Sequence, residues 1–233
     1  MRWSPRAVAG AAALAAWAGL FWFLMATGRT NLYLSSRTDW VVPVGAIILT
    51  ISAAGRFVSA RSETPHPLSP KDAWGIGVII LPVVAVLALP PASLSSFAAS
   101  RRSSFATAGF SSSPEQVATG ELSLSDVAGA LRSEEAMTAL VGRAGSDVDF
   151  TGFVTRDPGA AADEFTLTRF LISCCVADAL SVEVRVVGAP PGEFEKDQWV
   201  RVTGKIYPLG DEVIVDARSV EAVERPEKPY LNP

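Results

Sequence analysis

The sequence predicts a membrane-anchored α+β protein: three transmembrane helices, followed by a short helical segment and a small five-stranded β-barrel. Three observations predict it. Long uncharged apolar runs crowd the first 94 residues, charge is divided unevenly along the chain, and beyond residue 145 apolar and polar residues alternate between turn signals. Of the 233 residues, 49% are hydrophobic and 19% charged, a balance that places part of the chain in a bilayer. Residues 1–94 carry seven Lys or Arg against three acids, whereas residues 95–233 carry thirteen against twenty-one. The acidic part argues against nucleic-acid binding, which needs a basic surface to neutralise phosphate. Two cysteines are too few for a disulfide scaffold or a four-thiolate metal knuckle.

Residues 1–94 form the transmembrane region. Residues 7–26 hold no charge, and at about 1.5 Å per residue they match a hydrocarbon core of about 30 Å. Arg2 and Arg6 before this run also fit a signal peptide, but no small-residue cleavage pattern follows Met25, so a retained span is expected. A second span is expected over 40–58, with Arg56 snorkelling at its end, and a third over 74–92, kinked at Pro82. Trp40 and Trp74 stand at the entrances, where interfacial indoles are favoured. With the N-terminus in the cytoplasm, Arg2, Arg6, Arg56, Arg61 and Lys71 lie inside, and Arg29, Arg37, Arg101 and Arg102 outside. Three spans then put the C-terminal domain outside the cytoplasm. The spans contain no ionisable residue away from their edges, so they read as an anchor in the lipid bilayer rather than an ion path. Residues 95–120, rich in Ser, Ala and Gly, read as a flexible stalk. His66, the single histidine, falls in the loop between the second and third spans and reads as solvated.

Residues 121–233 form the soluble domain. Apolar positions from Leu122 to Val141 predict two short helices broken at Arg132-Ser133, with Ser123 and Ser133 as caps. The period then changes to two, predicting strands through Val148–Val154, Phe165–Cys175, Val182–Val186, Val200–Ile206 and Val213–Ala217. Asp157-Pro158-Gly159, Pro190-Pro191-Gly192 and Leu209-Gly210-Asp211 supply turns. The string QWVRVTGKI, residues 198–206, resembles the strand that opens the second half of many OB-fold barrels, Gly204 allowing the bend. The phenylalanines alternate as core residues do, which separates this domain from OB barrels that stack bases.

The chemically pointed string is FLISCCVADA, with Cys174, Cys175 and Asp178 as the candidate binding or structural motif. In a strand the two thiols face opposite ways, one into the barrel and one out. Neighbouring Cα atoms, about 3.8 Å apart, are too close for an unstrained disulfide. The pair then serves as buried structural cysteines, as a redox dithiol, or, if the chain turns after Cys175, as a soft-metal site for Zn or Cu(I) completed by Asp178. Asp178 also fits a turn residue that accepts local backbone N–H groups. One histidine in a membrane loop precludes a Ser/His/Asp set, and no Gly-rich phosphate loop is present, so no enzyme and no catalytic residues are expected.

The LSLSD segment (122–126), the FTGFV strand (150–154), RFLISCCVADA (169–179), WVRVTGKI (199–206) and the terminal KPYL (228–231), behind three spans, resemble the YcgQ-like family of permease subunits. That resemblance implies a multi-pass protein of the bacterial plasma membrane, with its C-terminal domain facing outward, acting beside a larger multi-span permease. Some relatives carry a His-rich loop between the second and third spans, where this chain has only His66. The function expected is an accessory subunit of a transport complex, with a membrane-anchored thiol redox or soft-metal module as the alternative.

Overall fold

The computed structural model describes residues 4–61, 67–89, 93–100, 113–156, 159–210 and 212–232. His66, the Asp157-Pro158 half of the first turn and Asp211 lie outside the described residues. The chain divides into two units, residues 1–92 and 93–233.

The first unit holds three helices, α1 (Pro5–Ala26), α2 (Val41–Ser59) and α3 (Pro70–Ala88), each long and apolar enough to cross a membrane. α1 lies along α2, with Phe21 against Gly45, where an added Cβ would come within 2.9 Å of the ring. Polar groups inside the helices find partners there. The Trp22 indole donates to Thr50 Oγ1 at 3.2 Å, and Thr50 returns its hydroxyl to Ala46 O at 2.7 Å. The Trp17 indole donates to Ile79 O at 3.0 Å, one residue from the carbonyl that Pro82 deprives of its helical donor. α3 starts and stops four residues before the expected 74–92. Ser69 caps it, accepting from Asp72 N while Asp72 bonds back to Ser69 N, and Pro70 takes the first turn. Leu89 is already extended, as a residue ahead of Pro90 and Pro91 must be. Trp40 and Trp74 are both strongly exposed.

The second unit is built on a closed barrel of β1 (Asp147–Thr155), β2 (Phe165–Leu171), β3 (Leu180–Val187), β4 (Trp199–Leu209) and β5 (Glu212–Ala222). Its strand order, β1-β2-β3-β5-β4, closes with β4 against β1 and is antiparallel except for β3 beside β5, an OB-like barrel. The alternation seen in the sequence becomes burial: Val148, Phe150, Val154, Leu167, Val182, Val184, Val186, Val200, Val202 and Ile206 fill the interior. Gly204 sits at a bulge against β5, where an added Cβ would stand 2.2 Å from Asp216 O. One end is closed by α6 (Leu124–Ala130) and α7 (Glu134–Val141), capped by Ser123 and Ser133 as expected, with the break between them at Leu131–Ser133.

Two parts of the segment read as a stalk carry structure. A single helical turn, α4 (Ser96–Ala99), is tied to the barrel by Ser96 N and Oγ donating to Asp197 at 2.7 and 2.9 Å, and by Leu94 N donating to Tyr230 Oη. Leu94, Ala98 and Ala99 pack on a second apolar cluster of Phe153, Phe170, Ile172, Ala179 and Tyr230. Further on, α5 (Pro114–Thr119) buries Val117 in the main core, and Arg143 Nη1 donates to the carbonyls of Val117, Ala118 and Gly120.

Candidate functional site

The double cysteine lies outside the strand predicted for it. β2 ends at Leu171, and residues 172–179 form a loop with one 3-10 turn, Val176–Asp178. The reason is local hydrogen bonding. Asp178 accepts from Ser173 N at 3.1 Å and from Cys174 N at 2.8 Å, so these amides are held by a side chain instead of a sheet partner. Neither thiol faces the barrel interior: Cys174 is exposed and Cys175 half-buried. The expectation of one inward and one outward thiol is therefore corrected, because strand alternation does not extend past Leu171.

Both cysteines are free thiols, with Cys174 Sγ donating to Cys175 Sγ at 3.6 Å. The Asp178 carboxylate, then the Cys175 thiol, push the Cys174 pKa up to about 11, since a thiolate there would face the negative carboxylate. Partial burial pushes the Asp178 carboxyl upward, but hydrogen bonds from Cys174, Ser173 and Cys175 outweigh it and hold its pKa below the ordinary carboxylate value. At neutral pH the arrangement is a protonated Cys174 thiol beside a charged carboxylate. Reactive cysteines have the reverse polarity, with a lowered pKa in an electropositive setting. Among the described residues no group of three or more His, Cys, Asp or Glu side chains is arranged to hold a metal ion. Cys174, Cys175 and Asp178 share one loop, in which both Asp178 oxygens accept backbone amides.

The same unit holds a feature that the sequence did not single out, a cleft of about 290 Å³. Residues 121–124 ahead of and within α6, Asp149 to Thr151 of β1, Arg169 of β2 and Leu231 line it. Arg169 is its central polar group. Its guanidinium donates to three backbone carbonyls, from Nε to Pro229 O, Nη1 to Thr151 O and Nη2 to Lys228 O, and lies 5.8 Å from the Trp199 ring centre. Burial lowers the Arg169 pKa, and no carboxylate pairs with it among the described residues. Asp149, on the same lining, is held by Arg201 in a two-pronged pair that, led by the hydrogen bond, lowers its pKa.

The terminal KPYL string takes its place here as a strap. Leu231 N donates to Phe170 O at 2.8 Å, Ile172 N donates to Leu231 O at 3.0 Å, and Leu231 makes a parallel bridge with Leu171. The signal for this in the sequence was one charged residue, Arg169, in an otherwise apolar and hydroxylic strand, together with a short apolar motif far from any other strand. Neither identifies its partner without the fold.

Residues 119–233 match the DUF1980 C-terminal domain, which spans the barrel, its two capping helices and the strap. No curated protein matches the chain.

Proposed function

We propose that this chain is a non-catalytic accessory subunit of a membrane transport complex, whose barrel stands outside the cytoplasm as the docking module for a larger multi-span permease. The observation that carries it is the joining of a DUF1980 C-terminal domain to three apolar helices whose ionisable residues, Arg6, Arg56, Lys71 and Asp72, all sit in end turns. Helices of that kind anchor a domain and give an ion no charged path, so in this reading the path belongs to a partner. The order of motifs shared with the YcgQ-like family supports membership in it and points to the same partner class.

The alternative, a dithiol module for redox or soft-metal chemistry, has the 3.6 Å thiol spacing in its favour. It must overcome the proton that Asp178 holds on Cys174. The accessory-subunit reading has no such obstacle.

Two measurements on the full chain test it. Alkaline phosphatase fused after Asn232 is expected to be active and a fluorescent protein there dark; the opposite pattern overturns the orientation. Affinity purification from mild detergent is expected to bring down a multi-span membrane protein in a fixed ratio, retained when Cys174 and Cys175 are both Ser. A chain recovered alone, or zinc or copper bound in a fixed ratio to the parent and lost with the two serines, overturns the accessory role in favour of the dithiol module.

A further inference from the structure

The cleft beside β1 offers backbone that no strand pairs with among the described residues. Hydrogen bonding along β1 alternates in direction. Val154 N donates to Gln198 O at 2.9 Å, and Phe150 and Gly152, in the same phase, face β4. Asp149 and Thr151, in the other phase, turn their N–H and C=O groups into the cleft, a direction marked by Arg169 Nη1 reaching Thr151 O at 3.3 Å. Continuing the β1–β2 register past Phe153 and Thr168 would set Thr151 opposite Phe170 and Asp149 opposite Ile172. There β2 exchanges its bonds with Leu231 instead. The strap therefore occupies the edge of β2, and the edge of β1 at residues 149–151 opens on the cleft.

We propose that an extended polypeptide segment bearing a carboxylate side chain docks in this cleft as a strand added to β1, its carboxylate meeting Arg169. Unpaired strand edges are templates for such addition, main-chain bonds supplying affinity and flanking pockets selecting alternate side chains. The flanks are suited to that division. Leu231 offers half-buried apolar surface, with Leu122, Leu124 and Phe150 almost fully buried behind the lining, while among the described residues Arg169 uses three of its five N–H groups on backbone carbonyls and keeps two for an acceptor. A guanidinium without a carboxylate partner favours an acidic side chain over a basic one. Glu121, on the lip of residues 121–124, disfavours a second acid beside it. The inference rests on the docking-module reading and names the chemistry that the module would recognise.

The test places a strand at the cleft through the chain's own C-terminus. The full chain in lipid nanodiscs is extended by a flexible Gly-Ser linker and the strand Thr-Val-Thr-Glu-Val-Thr, which sets its effective concentration on the order of millimolar. A second chain carries Lys in place of Glu, and a third the linker alone. Amide hydrogen exchange at Asp149 and Thr151 is then read. The Glu strand is expected to slow both amides roughly tenfold or more relative to the linker alone, and the Lys strand to slow them less. Equal exchange in all three chains overturns the added strand, and equal protection by Glu and Lys overturns the role of Arg169. Thr151→Pro in the Glu-bearing chain removes a cleft-facing donor without touching a β4 ladder bond, so protection at Asp149 should vanish. If that variant fails to fold, the three-chain comparison still decides. Protection by the Glu strand without permease recovery would keep the cleft and sink the transport partner, and recovery without protection would do the reverse.

Discussion

At the scale of single residues, Asp178 does for the double-cysteine loop what a neighbouring strand does for β2. Its two oxygens take the Ser173 and Cys174 amides, and its charge keeps the Cys174 thiol protonated. Asp178→Asn leaves one acceptor where two were used, so a loss of roughly 1 kcal/mol is expected, modest because the carboxylate is only part-buried. The pH dependence follows from the direction of the shift. The folded pKa of Asp178 lies below its unfolded value, so the charged form's contribution is complete above the unfolded value, near about 4, and disappears as pH falls through the folded value. Thermal melts of parent and variant should differ at neutral pH and converge in acid. Cys174→Ser keeps a donor for Asp178 and should change stability by less than about 0.5 kcal/mol. A Cys174→Ser loss as large as that of Asp178→Asn would show that the thiol packs rather than donates. The sequence offered Asp178 as a turn residue and offered the thiols as strand residues. It was right about the first because the amides Asp178 holds lie only four and five residues before it, and wrong about the second because the apolar run Phe170–Ile172 conceals where the strand ends.

Among the elements, β4 shows why a barrel strand was legible from period alone and the strap was not. Every second residue from Val200 to Pro208 is buried, and that alternation is present in the string itself. Gly204 interrupts the apolar series for a reason equally local: the bulge between Thr203 and Gly204 brings Asp216 O to where a side chain would begin. Gly204→Ala should therefore cost on the order of 3 kcal/mol, because backbone must move to admit the methyl. Gly145→Ala is a useful contrast. It has open space but φ of 81°, so its cost should be about 1 to 2 kcal/mol of backbone strain. Chemical denaturation of the two variants checks the order, and equal losses would remove the steric account of Gly204. The strap has no such pattern. Residues 228–231 bond to β2 only because β2 runs past the point where β1 leaves it, a fact of three-dimensional register that no window of sequence contains. The cleft inherits that invisibility, since its walls come from residues 121–124, β1, β2 and the C-terminus.

For the molecule as a whole, composition located the apolar third and the acidic remainder, but it misjudged where the barrel unit starts. A run dominated by Ser and Ala, with its few phenylalanines scattered, looks like linker, yet Leu94, Ala98 and Ala99 need little volume to cover Phe153, Phe170 and Tyr230. Ser96 adds two hydrogen bonds to Asp197, a non-glycine residue held at φ of 67°, and Leu94 N adds one to Tyr230 Oη. A left-handed aspartate is mildly strained, and here its carboxylate accepts from the N–H and hydroxyl of Ser96, the first residue of α4. The unit that includes this latch should thus outlast the unit without it. Expressed as fragments, residues 93–233 and 113–233 should both give β-rich circular dichroism. The longer should be more stable by about 1 to 3 kcal/mol, the sum expected for a few partly buried hydrogen bonds and one covered apolar patch. Ser96→Ala in the longer fragment should remove about 1 kcal/mol of that difference. Equal melting of the two fragments would mean that residues 93–100 ride on the barrel without holding it. A shorter fragment that fails to fold would mean that they belong to its core.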